Sequence, residues 1–145
     1  MLNTQTILQQ LSDQGFKKTK VRELLIGELL KLKKPLDAQA LQDFLSDQKL
    51  AVNKTTVYRV LQFLLERGII VEINFGDNKR RYEIAGLAHH HHLICNNCQG
   101  VEDVFVDQDL VKLEKKIAKE KNFAIHSHSL EFFGLCRHCL WDKIN

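Results

Sequence analysis

Residues 53–84 read NKTTVYRVLQFLLERGIIVEINFGDNKRRYEI, and a change of period inside this stretch sets the architecture. Val57, Val60, Leu61 and Leu64 recur at helical spacing; Asn53 is placed to cap the helix start and Gly68 to close its end. After Gly68 the pattern becomes strand, turn, strand: Ile69 to Phe75, then Gly76-Asp77-Asn78-Lys79-Arg80, then Arg81 to Ile84. A helix followed at once by a hairpin is the closing half of a winged helix-turn-helix, in which that helix enters a DNA major groove. Periodicity alone equally allows a helical bundle with an added hairpin.

Toward the N-terminus three further apolar stripes predict three more short helices: Ile7, Leu8 and Leu11; Val21, Leu24, Leu25 and Leu29; Leu41, Phe44 and Leu45. The breaks fall at Gly15, at Lys33-Lys34-Pro35 and between Asp47 and Val52. Downstream, Ala85-Gly86-Leu87-Ala88 is a small-residue stretch suited to a hinge. Beyond it His92 to Cys95 and Val101 to Val106 read as strands, Leu110 to Lys121 as a helix, and Phe123 to Phe133 as mostly strand. The expected fold class is α+β: a winged helix-turn-helix domain over residues 1–85, a hinge at 86–88, and a small α/β domain over 89–145. A chain of 145 residues divided this way leaves each half a thin core, so a metal or a second chain is needed as a staple.

The chain is 44% hydrophobic and 27% charged, the balance of a globular protein, and no apolar run approaches the roughly 20 residues that cross a bilayer. The first residues, Met1 to Thr6, lack the basic start and apolar stretch of a secretory signal, so a reducing cytoplasm is the expected location and a membrane partner is not expected. A net charge of +3 decides little, but position does: all 7 His and all 4 Cys lie between His89 and Cys139.

Cys95-Asn96-Asn97-Cys98 and Cys136-Arg137-His138-Cys139 are two Cys-x-x-Cys turns. Each aims two thiolates at one point, and two such turns complete a tetrahedral four-sulfur zinc site. A redox motif or disulfides are the competing readings, disfavoured in a cytosolic chain. Four thiolates leave no open position, so the site is expected to be structural. His89-His90-His91-His92 leads into the first pair, and in extended chain alternate residues face opposite ways: His90 and His92 on one side, His89 and His91 on the other. One tract thus serves two metal sites, the bland alternative being solvated histidines at a strand end. His126 and His128 repeat the alternation later.

Taken in order, Gly15 to Arg22, Thr55-Thr56-Val57-Tyr58-Arg59-Val60-Leu61, His89 to Cys98, His128-Ser129-Leu130 and the terminal Cys-x-x-Cys resemble the ferric uptake regulator family over essentially the whole chain. The resemblance implies a homodimer that binds a double-stranded DNA operator, with a structural zinc on Cys95, Cys98, Cys136 and Cys139. It assigns a regulatory hinge metal to Glu83, His90 and His92, and a second site to His89, His91 and His128. The usual fourth hinge ligand falls on Pro35, which has no donor, leaving Asp37 or a water; the acidic ligand of the second site falls on Val111, with Asp107 or Asp109 as substitutes. The regulatory ion implied is Fe(II) or Zn(II), with Mn(II) possible. DNA contacts fall on Lys17, Thr19 and Arg22 in an entry segment and on Thr55, Thr56, Tyr58 and Arg59 in the recognition helix, with Lys18, Lys20 and a basic wing tip of Lys79, Arg80 and Arg81 beside them.

The function expected is a metal-responsive repressor of metal-uptake or metal-homeostasis genes, of the iron type, with a zinc uptake regulator as the alternative. No catalytic residue and no small-molecule substrate are expected. A zinc-dependent hydrolase would need an open metal position beside a general base, and no His-x-x-x-His or His-x-Glu arrangement is present. A metal-storage module would leave the basic fourth helix without a purpose.

Overall fold

The structure is a computed structural model and describes residues 2–106 and 109–144. The chain forms two compact units, one ending at Gly86 and the other beginning at Leu87. The first contains α1 (Thr4–Asp13), α2 (Lys20–Leu32), β1 (Leu36–Asp37), α3 (Ala38–Asp47), α4 (Lys54–Glu66), β2 (Ile70–Ile73) and β3 (Arg81–Ile84). The second contains β4 (His91–Cys95), β5 (Val101–Val104), α5 (Asp109–Lys121), β6 (Glu131–Gly134) and α6 (Arg137–Ile144).

Local chemistry explains the helices of the first unit. Asn3, Thr19, Asp37 and Asn53 each accept a main-chain N–H three residues on, at 2.9, 3.3, 2.8 and 2.8 Å, which caps the starts of α1, α2, α3 and α4. α4 ends with Gly68 at φ 64° while Gly68 and Ile69 donate back to Leu65 and Leu64 at 2.9 and 3.0 Å. This paired return satisfies carbonyls that the helix end would otherwise leave open. The same closure ends α3, but with Lys49 in the left-handed position at φ 58°.

The core of this unit is Ile7, Leu8, Leu11, Leu25, Ile26, Leu29, Leu41, Leu45, Val57, Leu61, Leu64, Ile70 and Ile84, all buried. On α2 the buried face runs through Ile26, while Val21 and Leu24 are half-buried, a small rotation from the expected stripe. α2 packs on α1, α3 and β3 at once, so the neighbours on three sides, not one, set its buried arc. The sheet runs β1-β3-β2, all antiparallel, with Leu36 opposite Tyr82 and Glu72 opposite Tyr82 on the other edge. The two-residue β1 has no periodicity to announce it; pairing with β3 alone defines it.

In the second unit the order is β5-β4-β6, with β4 antiparallel to β5 and parallel to β6. The strand expected over Phe123 to Phe133 is confined to Glu131–Gly134, and that over Val101 to Val106 to Val101–Val104. Each has only the short β4 to pair with, so the ladder ends where β4 ends. The second Cys-x-x-Cys pair opens a helix, with Leu140 N–H bonded to the Cys136 carbonyl at 2.9 Å. Among the described residues no helix is long and apolar enough to cross a membrane.

Candidate metal centres and nucleic-acid interface

Cys95 ends β4, and the chain turns back through Asn96 and Asn97 to Cys98, closed by Gln99 N–H on the Cys95 carbonyl at 3.0 Å and by Cys95 N–H on the Gly100 carbonyl at 2.9 Å. A Cβ at Gly100 would lie 3.3 Å from Cys98 Sγ, so the absence of a side chain there gives the sulfur room. The first turn of α6 brings Cys136 and Cys139 to the same place, and all four sulfurs lie within 4.8 Å of one another with none in a disulfide. Cys98 and Cys136 sulfurs are 3.7 Å apart. A tetrahedral ion with Zn–S of about 2.3 Å has a sulfur–sulfur edge of about 3.8 Å, so the cluster fits zinc without rearrangement.

Electrostatics favour a cation in the same place. Main-chain N–H groups of Cys136 and Cys98 point at the Cys95 sulfur and hold its thiol down to about 6. The Asn97 amide donates to Cys139 at 3.2 Å and favours its thiolate, yet burial and the three neighbouring sulfurs outweigh it and push the thiol up to about 11. One thiol ionises readily and the crowd resists further negative charge; a divalent ion removes that resistance.

The histidines divide as the alternation predicts. His89 and His91 rings lie 4.7 Å apart, and both meet His128, at 4.8 and 5.1 Å, from the segment before β6. His89 Nε2 and His128 Nε2 are 3.0 Å apart. His91 is buried, and its Nε2 has no hydrogen-bond partner among the described residues. Burial, with the neighbouring imidazoles adding to it, shifts His91 toward its neutral form, the form that binds metal. A buried ring nitrogen without a partner, facing two more imidazoles, is the donor chemistry of a metal site. His126 is exposed and lies outside this group.

On the opposite face, His90 and His92 rings are 5.0 Å apart. Asp103, opposite His92 on β5, brings a carboxylate oxygen to 4.0 and 3.9 Å from their Nε2 atoms. Sequence reasoning missed Asp103, because only the β4–β5 register places it there. Glu83 lies on β3, opposite Val71 of β2. Asp37, a candidate for the donor missing at Pro35, spends one carboxylate oxygen on the α3 cap. Asp109 is exposed and pairs with Lys112 at 3.5 Å, while Asp107 lies outside the described residues. The carboxylate that does reach the second histidine group is Glu114, one turn beyond Val111 on α5, at 2.5 Å from His128 Nδ1.

Of the residues expected to meet DNA, Lys17, Thr55, Tyr58 and Arg59 are exposed and Thr56 is half-buried, while Val57, Leu61 and Leu64 hold the other face of α4 in the core. Thr19 serves as the α2 cap. Arg22 faces inward: its guanidinium carbon lies 3.9 Å from the Phe63 ring centre and it donates to the Lys17 carbonyl at 2.6 Å. Arg67 covers Phe16 at 4.4 Å, and the Phe16 and Phe63 rings meet edge to face at 5.0 Å. At the wing tip Arg81 is buried on Asp77, and Arg80 lies 3.8 Å from Glu72.

A winged-helix unit joined to a unit carrying a four-thiolate cluster and two histidine groups defines a metal-responsive, DNA-binding transcriptional regulator, not an enzyme. Residues 13–133 match the Ferric uptake regulator family, and the chain belongs to it. The ferric uptake regulation protein of Bacillus subtilis is 34% identical over 138 residues, covering 92% of this chain and 91% of that protein. The ferric uptake regulator structure of Helicobacter pylori, with three functional metal-binding sites, superposes with a TM-score of 0.82 at 25% identity over 96% of this chain and 95% of that one. The iron-containing regulator of Francisella tularensis gives 0.76 at 28% identity over 87% and 96%. Members of the family are dimeric DNA-binding regulators.

Proposed function

We propose that this chain is a cytoplasmic iron-type repressor that grips its operator as a homodimer when a regulatory ion is bound. The observation that carries the reading is the division of labour along the segment that runs from His89 into β4, which sends His90 and His92 to one cluster and His89 and His91 to another. We assign the regulatory ion to Glu83, His90 and His92, with Asp103 supplying the donor that Pro35 lacks. Two imidazoles with carboxylates make a mixed nitrogen and oxygen set, suited to Fe(II) or Mn(II). Cys95, Cys98, Cys136 and Cys139 take the structural zinc, and His89, His91 and His128 the second site. That makes three sites, the number in the Helicobacter pylori regulator.

In this reading Lys17, Thr55, Thr56, Tyr58 and Arg59 contact DNA, and Thr19 and Arg22 shape the segment that presents Lys17. The ion acts through its greater affinity for the DNA-competent arrangement of the dimer. A zinc-responsive reading draws support from one feature, the imidazole of His91 and the apolar Val111 at the second site, which make that site rich in nitrogen.

Operator affinity titrated against free Fe(II), Mn(II) and Zn(II) tests both. Fe(II) and Mn(II) should tighten binding on the order of 5–150-fold. His90→Ala/His92→Ala should abolish that gain and leave the four-cysteine zinc and the dimer intact. Metal-dependent binding that survives in this variant places regulation elsewhere, and a response to Zn(II) alone makes the protein a zinc regulator.

A further inference from the structure

Glu114 is a carboxylate that no sequence pattern marked, and its position is specific. It lies on α5, and Oε1 meets His128 at Nδ1, 2.5 Å away, with both side chains about three-quarters shielded from solvent at 27% and 22% exposure. A carboxylate accepts, so Nδ1 carries the proton and Nε2 of the same ring keeps its lone pair. That Nε2 is the atom 3.0 Å from His89 Nε2, beside the buried His91 whose Nε2 has no partner. The carboxylate therefore sits behind the imidazole, on the side away from the converging nitrogens.

We infer that Glu114 is a positioning residue and not a ligand: it locks His128 with Nε2 facing His89 and His91, so that the ion held there has three imidazole nitrogens and one open position. The inference rests on reading His89, His91 and His128 as a metal site. Val111, one helical turn earlier, is an exposed apolar residue and supplies no donor, and Asp109 is turned to Lys112. Among the described residues Glu114 is the carboxylate that hydrogen-bonds to this histidine group. A carboxylate behind a ligating imidazole fixes its tautomer and raises its basicity, and loss of such a partner lowers metal affinity about 10–100-fold. Three nitrogens at Zn–N of about 2.0 Å span edges of about 3.3 Å, close to the separation of the His89 and His128 nitrogens.

The test uses the full-length, zinc-stapled protein in a His90→Ala/His92→Ala background, with Co(II) and Zn(II) added as the probes. This background should take up one further ion per chain, with a Co(II) absorption spectrum of three nitrogens and a water. Glu114→Ala should weaken that ion about 10–100-fold, and Glu114→Gln, which can still accept from Nδ1, should weaken it less. The Co(II) band positions should stay the same in both variants once saturated. Affinity unchanged in Glu114→Ala, or a Co(II) spectrum that loses an oxygen ligand in it, overturns the inference. Failure of the reading beneath it looks different: the extra ion is then absent from the background protein, or persists after His89→Ala/His91→Ala.

Discussion

Arg22 and Arg59 carry the same charge in the same unit, and their surroundings give them different work. Arg59 is exposed on the outer face of α4. Arg22 lies over the Phe63 ring and donates to the Lys17 carbonyl, so its charge holds the α1–α2 connection in shape. A planar guanidinium does both at once, which an ammonium cannot. Arg22→Lys should therefore cost about 1 kcal/mol of stability, read in urea unfolding, through loss of the ring contact. Arg59→Ala should stay within about 0.5 kcal/mol of wild type in the same experiment. Its operator binding should nonetheless weaken by about 1–3 kcal/mol at physiological salt. The reverse ranking would mean that α4 does not face the groove with Arg59. Sequence alone grouped the two arginines, because a motif reports which residues occur and not which ring a side chain will find once α4 is packed.

Among the elements, the hairpin of β2 and β3 shows the same limit. A basic tip of Lys79, Arg80 and Arg81 was expected, yet Arg81 turns back to Asp77 in a paired contact of 2.9 and 2.6 Å and covers the Phe75 ring at 4.9 Å. The Arg81 hydrogen bonds hold the Asp77 carboxyl down at about 2, below its ordinary 3.8. Because the folded value is depressed, the ionised pair stabilises the hairpin fully above the ordinary carboxylate range. That contribution fades as pH falls from about 4 through about 2. Asp77→Asn should lower the thermal midpoint at pH 7, and the gap to wild type should close as the pH is taken from 4 to 2. A gap that persists at pH 2 would show that the charge of Asp77 contributes nothing. Helices α1, α3 and α4 were legible because apolar spacing and a capping side chain are local, and for α1 and α4 a closing glycine at Gly15 and Gly68 adds a further local mark. β1, Asp103 and Glu114 were not, since each depends on a partner brought near by register or by a helix turn: Tyr82 for β1, the β4 histidines for Asp103, His128 for Glu114.

For the molecule as a whole, the two units are stabilised in different ways. The first buries a continuous set of leucines, isoleucines and valines, whereas the second buries only Ile94, Cys95, Cys139, His91 and His92 among its described residues. Helix α5 has no buried residue, and Leu113, Ile117, Phe105, Phe132, Phe133 and Trp141 are exposed. A unit of this size with so little covered apolar surface does not hold itself together by its own core. The four-cysteine cluster joins the end of β4 to the start of α6, and a structural zinc held there would contribute an apparent ~10–16 kcal/mol, at least as much as the net stability of a typical domain at about 5–15 kcal/mol. A second copy would cover the exposed apolar residues, as a dimeric regulator requires. Metal, fold and dimer should therefore fail together. Treatment with a strong zinc chelator and reductant, or Cys98→Ser, should convert the dimer to monomer in sedimentation velocity. Amide exchange across β4, β5 and β6 should accelerate in the same samples, while α3 and α4 stay protected. A zinc-free chain that remains dimeric with β4 protected would show that the cluster is dispensable and that the apolar surface alone holds the second unit together.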